Sequence, residues 1–261
     1  MGRYWRIYRT FFRSSLIREL EFRANFFAKI GQNVVWIGFF LLILLVIYSN
    51  TKSVAGWSRG DAFVLAATCF SMNAFVSAFF MSLQEIPNQV RQGTLDFVIT
   101  KPVDTQFWIS LRRFNFDQIG TLLAGIAMLI VGVSSAGIHP NALQWLGYAL
   151  LVAASTAVFY AFNLFLMTLG IWLVRVDNLW VLGETVMQVA RYPVDIYSIG
   201  LQRLFIYGIP LAFLATMPAS QLVKGFDSNM VGLGCIWGVA LLALSRLFWR
   251  YALRHYSSAS S

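Results

Sequence analysis

Side chains able to carry chemistry are sparse in this chain, and their densest run is QEIPNQVRQGTLDFVITKPVD, starting at Gln84. Glu85, Arg91, Asp96, Lys101 and Asp104 stand within it, framed by Pro87 and Pro102 with Gly93 between them. Elsewhere the candidates are few. A phosphate-binding loop needs Gly-Lys followed by Ser or Thr, so that backbone amides and the lysine cradle the phosphates. None of the four lysines, Lys29, Lys52, Lys101 and Lys224, follows a glycine, which excludes ATP binding by that motif. No Ser, His and acid grouping suggests a hydrolase, and no acidic pair lies within an apolar run. His139 and His255 fall on opposite sides of the membrane in the topology below, so they form neither a metal pair nor a proton relay. These residues predict no enzyme activity, no metal and no cofactor.

Ionisable residues inside apolar runs are functional candidates by default. Asp117 and Glu184 are the two acids placed there, and both stand near a run's end. Asp117 can alternatively snorkel or pair with Arg113 four residues earlier. Asn73 and Ser77, also four apart, either line a polar path or join helices by hydrogen bonds. Asn73, Ser77 and Glu184 are therefore the candidate path residues.

The elements that must position these groups follow from composition. Of 261 residues, 58% are hydrophobic and 12% charged, against roughly 25% charged in a soluble domain. Several apolar runs reach the roughly 20 residues a membrane-crossing helix needs. The formal charge of +9 is concentrated in the N-terminal segment, in alternate loops and at the C-terminus. That fits the positive-inside rule and attraction to anionic lipid, and argues against nucleic-acid binding. Cys69 and Cys235 lie inside apolar runs and read as small buried hydrophobes. The basic region before the first run has no small-residue cleavage site, so the first span is expected to be retained.

The expected fold is an all-α membrane protein of six transmembrane helices, in one domain over 1–261. It is placed in an inner or plasma membrane with both termini cytoplasmic. In residues 1–29, Tyr4, Ile7, Phe11 and Ile17 can share one helical face with Arg6, Arg9 and Arg13 towards the other, the pattern of an amphipathic interfacial helix. Spans are expected at about 30–48, 62–83, a third helix running from Asp104 to about 138, 143–174 and 230–249. Two readings remain for 178–224. In one, NLWVLGETVMQVA is the fifth span and 193–224 dips into the outer leaflet and returns. In the other, 178–200 stays cytoplasmic and the crossing lies at about 204–217. Pro193, Pro210 and Pro218 favour broken, re-entrant helices, while Arg191 and Arg203 favour the second reading. No internal repeat of the secondary-transporter kind is seen.

The charged run itself, within a cytoplasmic segment 84–115, predicts two short helices. Pro87 suits a first helical turn, and Gly93 can end a helix in the left-handed conformation. Thr94 can cap a second helix, LDFVIT, which Pro102 ends through its restriction of Lys101. Phe97, Val98 and Ile99 are available to pack inward. A simple helix–helix connection needs only 2–8 residues, so this one is built for more than joining spans.

EIPNQVRQGTLDFVITKPV resembles the loop between the second and third spans of type-2 ATP-binding-cassette (ABC) exporter permeases. That family's pattern is an acid, then Arg-x-Gly-Thr-Leu-[Glu/Asp], then a Lys-Pro turn, matched by Glu85, Arg91, Gly93, Thr94, Leu95, Asp96, Lys101 and Pro102. The basic N-terminal helix, the six spans, the IPLAF…MPA stretch and the tail LRHYSSASS are also similar to one subgroup. The resemblance implies a transmembrane subunit that pairs with a second permease, identical or paralogous. Its loop 84–104 would dock as a coupling helix on a separate ATPase subunit. Glu85 and Arg91 would then make polar contacts at the ATPase surface, and Gly93 would allow the turn. Leu95 and Phe97 would anchor the loop against the membrane helices. The family lines its path with the second and fifth spans, which adds weight to Asn73 and Ser77. An autonomous carrier or channel without an ATPase is the alternative.

Overall fold

The computed structural model describes residues 2–21, 23–173 and 179–257, and among them the structure is nearly all helical with no β-strand. Helix α1 (Gly2–Glu21) leads into α2 (Arg23–Asn50) and α3 (Arg59–Phe80). Three short helices follow: α4 (Ile86–Arg91), α5 (Asp96–Ile99) and α6 (Thr105–Leu111). Then come α7 (Gln118–Ser135), α8 (Ala142–Leu169), α9 (Leu179–Ala190), α10 (Ile199–Arg203), α11 (Thr216–Val223) and α12 (Ser228–Arg254). Among the described residues, five helices are long and apolar enough to cross a membrane: α2, α3, α7, α8 and α12. The protein is a multi-pass membrane protein.

Polar caps mark where three of these helices start. Ser58 and Asp61 cap α3 reciprocally, as Asn141 and Gln144 cap α8. Asp227 Oδ1 accepts from the amides of Asn229 and Met230 at the start of α12. Each cap supplies partners for amides that no helical carbonyl can reach.

α3 and α8 form the centre, and glycines let their neighbours approach. A Cβ at Gly132 of α7 would lie 2.8 Å from the Val64 amide nitrogen of α3, and one at Gly238 of α12 would lie 3.3 Å from Ala154 Cα of α8. Lipid tails are as apolar as leucine, so such close van der Waals packing is what holds membrane helices together. α2 is peripheral, with Ile37 its one buried apolar residue. Cys69 is a buried free thiol and Cys235 a half-buried one.

The region after α8 departs from a simple sixth helix. α9 has 12 residues, about 18 Å at 1.5 Å per residue, against a hydrocarbon core of about 30 Å. Leu179 at its start belongs to the apolar cluster of Leu83 and Ile86, whereas Met187 and Ala190 belong to that of Trp57. Beyond it, Trp57 Nε1 donates to Asp195 Oδ2 at 2.8 Å and Lys224 pairs with Asp195 at 3.1 Å. α9 thus runs from the α4 end of the bundle to the opposite end. The broken elements between Val194 and Val223 then pack beside α3 and α8. Arg175, on which the expected topology leaned, lies outside the described residues, as do Val174 and residues 258–261.

Two expectations about the N-terminal half are corrected. Asp104 does cap a helix, accepting from the Phe107 amide at 2.9 Å, but α6 stops at Leu111. Residues 112–117 cross over the end of α3, where the Asn115 amide donates to the Ala78 carbonyl at 2.9 Å, before α7 starts. The third helix is therefore two helices set apart by a polar turn. Asp117 pairs with Lys29 at 3.4 Å rather than with Arg113, because that turn destroys their helical spacing. In α1, Tyr4, Phe11 and Phe12 pack edge-on against Phe107, Trp108 and Phe116, and Phe12 also meets Phe114 at a tilt, with Ser15 buried beside them, while Ile17 is exposed.

Candidate functional site

The charged run forms an elbow. α3 continues through a tight turn at Met81–Glu85 into α4, with Pro87 in the first turn of α4, where a missing amide costs nothing. Gly93 has a φ of +66°, the left-handed conformation the turn after α4 requires. Thr94 does not cap the next helix: its hydroxyl donates back to the Gln89 carbonyl at 3.4 Å, and α5 starts at Asp96. That bond closes the turn instead.

One face of the elbow is buried against the bundle. Ile86, Val90, Leu95 and Val98 are all under a tenth exposed and share a cluster with Leu164, Met167 and Trp249 of α8 and α12. Pro87 lies so close to Gly170 that a Cβ there would come within 2.8 Å of the proline ring. The other face is open. Phe97 is 70% exposed and Ile99 39%, so of the run after Gly93 it is Leu95 and Val98 that join Ile86 and Val90 in anchoring the loop. The expectation that Phe97 packs inward is corrected, because a four-residue helix has one buried side and Val98 occupies it. Arg91 and Lys101 lie on this open side, Asp96 is half-buried, and Lys101 sits 3.7 Å from the centroid of the Trp108 ring. The Pro102 carbonyl accepts from Arg3 Nη2 at 2.7 Å, tying the elbow to α1.

Glu85 is used within the chain. Its carboxylate pairs with both Arg112 and Arg113, and the Gln89 amide, turned so that its oxygen faces Arg112, accepts from that guanidinium at 2.7 and 3.0 Å. At the other end of the elbow, Asp104 pairs with Arg246 of α12. Arg246 also donates to Gln106 Oε1 at 2.7 Å, and Gln106 donates to the Tyr160 hydroxyl of α8 at 2.9 Å. The bond from Arg246 holds the Asp104 carboxyl below the usual aspartate range, against the opposing pull of burial. Sequence reasoning missed Arg246, Gln106 and Tyr160, since nothing in their spacing says that α12 and α8 meet the loop.

A second feature is a cavity of about 320 Å³ between α2, α3, α9 and the turn before α7. Asn73, Ser77 and Glu184 all line it, so the three candidate path residues do face one space. The fold adds Asn33, Asn115, Gln118, Thr121 and Arg191, the last with its guanidinium 5.8 Å from the Phe70 ring centroid. The Thr121 hydroxyl is buried with no partner among the described residues. Asn73 and Ser77 each interrupt an apolar stretch, which was a readable signal, whereas Asn115 and Gln118 stand in a polar run with Arg112, Arg113 and Asp117. Their convergence was not readable.

A helical membrane bundle with a structured elbow between its second and third long helices is the class defined here. Comparison with known families places it further: residues 34–260 match the ABC-2 family transporter protein, and the chain belongs to that family. It is thus a transmembrane component of an ABC transporter system. No curated protein matches the chain.

Proposed function

We propose that the protein is the transmembrane subunit of an ABC exporter, driven by a separate ATPase subunit that docks on the elbow 84–104. The observation that carries this is the elbow's asymmetry. Its inner face is bolted to α8 and α12, while Phe97 and Ile99 stand uncovered among charged residues on the outer face. An exposed aromatic ringed by charge is the anatomy of a docking hot spot. Arg91, Gly93, Thr94, Asp96, Lys101 and Pro102 shape or rim that surface, and Leu95 holds it in place. Glu85 acts inside the subunit, orienting the elbow through Arg112 and Arg113.

In this reading the chain crosses an inner or plasma membrane six times with both termini cytoplasmic. α9 is the short fifth crossing, and the elements from Val194 to Val223 form the outer re-entrant segment that shields its end. α1 lies in the cytoplasmic interface. Two such subunits, identical or paralogous, enclose the path, with Asn73, Ser77 and Glu184 on its wall. ATP-driven movement of the elbow reaches α12 through Asp104 and Arg246 and α8 through Tyr160.

The test is co-purification of the tagged protein with its ATPase, and transport in proteoliposomes. Phe97→Ala should weaken the association at least tenfold, as expected for a buried aromatic anchor, while the permease still elutes as a folded species. Undiminished association of Phe97→Ala and Arg91→Glu together would refute docking on this face. Transport by the permease alone would establish an autonomous carrier instead.

A further inference from the structure

A cavity of about 390 Å³ opens where α1 ends and α2 begins, walled by Arg18, Glu19, Lys29, Glu85 and Arg113. Arg18 and Arg113 also wall a second hollow of about 260 Å³ that reaches Arg112, Phe11 and Trp108. Lys29 is neutralised by Asp117, and Glu85 is divided between Arg112 and Arg113. Glu19 makes no ion pair among the described residues, and neither does Arg18. Four cations thus face three carboxylates. Arg18 is close enough to Arg113 that, after burial, its charge is the second cause lowering the Arg113 pKa. The buried Nε of Arg112 has no acceptor among the described residues. The group has donors and positive charge in excess.

Its surroundings say what kind of anion fits. The hollow lies at the start of α2, a helix long and apolar enough to cross a membrane, and Met81 and Phe114 add apolar surface to its wall. A small soluble anion gains nothing from the neighbouring membrane span, whereas a phospholipid presents a charged head and an apolar body together. Basic hollows between membrane helices at headgroup depth are suited to anionic lipid heads. We infer that the hollow between Arg18, Lys29 and Arg113 is a binding site for the phosphate headgroup of a singly charged anionic phospholipid such as phosphatidylglycerol. The headgroup would supply the missing negative charge, and its chains would lie along the exposed apolar surface of α2. Glu85 competes with it for Arg113, so lipid and elbow draw on the same guanidinium.

The experiment is native mass spectrometry of the full-length protein in detergent, titrated with phosphatidylglycerol or phosphatidylcholine. Wild type should retain phosphatidylglycerol at least about fivefold more tightly than phosphatidylcholine, from the strength of one juxtamembrane basic residue. Arg18→Ala should weaken phosphatidylglycerol about fivefold. Arg9→Ala, which removes an exposed arginine of the same helix that lines neither hollow, should change nothing. Glu85→Gln should tighten it, a gain that mere structural damage would not produce. Equal retention of the two lipids, indifference to Arg18→Ala, or displacement by millimolar inorganic phosphate with no dependence on lipid would each overturn the site. Lipid binding needs no ATPase, so failure here would leave the transporter reading untouched.

Discussion

Replacing Asp104 separates two forces that hold the elbow to the bundle. Its carboxylate caps α6 by accepting from the Phe107 amide at 2.9 Å, and it pairs with Arg246, both side chains being about a third exposed, 32% and 30%. Asn caps a helix about as well as Asp, so Asp104→Asn removes the charge and spares the cap. Exposed pairs are worth about 0–1 kcal/mol, and breaking buried ones costs about 3–5 kcal/mol. At intermediate exposure the loss should be about 1–2 kcal/mol. Asp104→Ala also removes the cap, worth about 1 kcal/mol more. In thermal unfolding of the purified full chain, roughly 2–4 °C per kcal/mol gives a fall of about 4–12 °C for Ala and about 2–8 °C for Asn. A double-mutant cycle with Arg246→Met should return a coupling of about 1–2 kcal/mol. Wild-type stability for Asp104→Asn with an additive cycle would refute the pair. Equal losses for Asn and Ala would refute the cap.

Other consequences can be checked the same way. Gly93→Ala should cost about 1 kcal/mol, since φ is +66° there, and Gly93→Asn less, because Asn tolerates that conformation; comparison of the two melting curves decides it. Gly132→Val should cost about 1–3 kcal/mol by overpacking and weaken cysteine cross-linking between α3 and α7, because its Cβ would meet the Val64 backbone at 2.8 Å. Asp104 also sets a pH dependence. A carboxyl whose folded pKa is depressed stabilises fully above the unfolded value of 3.8. That contribution is lost as pH falls below 3.8 through the lower native value. Acid unfolding of wild type should therefore show a loss that Asp104→Asn lacks.

Much of the fold was legible because the membrane restricts what a chain can do. Buried backbone must bond within its own helix, so long apolar runs and their polar ends locate α2, α3, α8 and α12 directly. Pro87 and Gly93 were readable for the same reason, since each residue type permits few backbone conformations. Readings that needed contacts between segments fared differently. Phe97 and Ile99 stand in the same short apolar run as Val98, and only docking on α8 and α12 decided which of the three turned inward. Asp117 took Lys29 because the turn at 112–117 carried Arg113 to Glu85.

The sequence by itself determined that this is a helical membrane protein, where most long helices begin and end, and that 84–104 is a structured elbow. These follow from hydropathy and backbone stereochemistry, which act over a few residues. Only the tertiary structure decided that Glu85 serves the inside of the subunit, that Arg246 clasps Asp104 across 142 positions, and that Asn73, Ser77 and Glu184 face one cavity. Ion pairs and cavities depend on which helix faces approach each other. That depends on small differences in packing among many apolar surfaces, which no local pattern records.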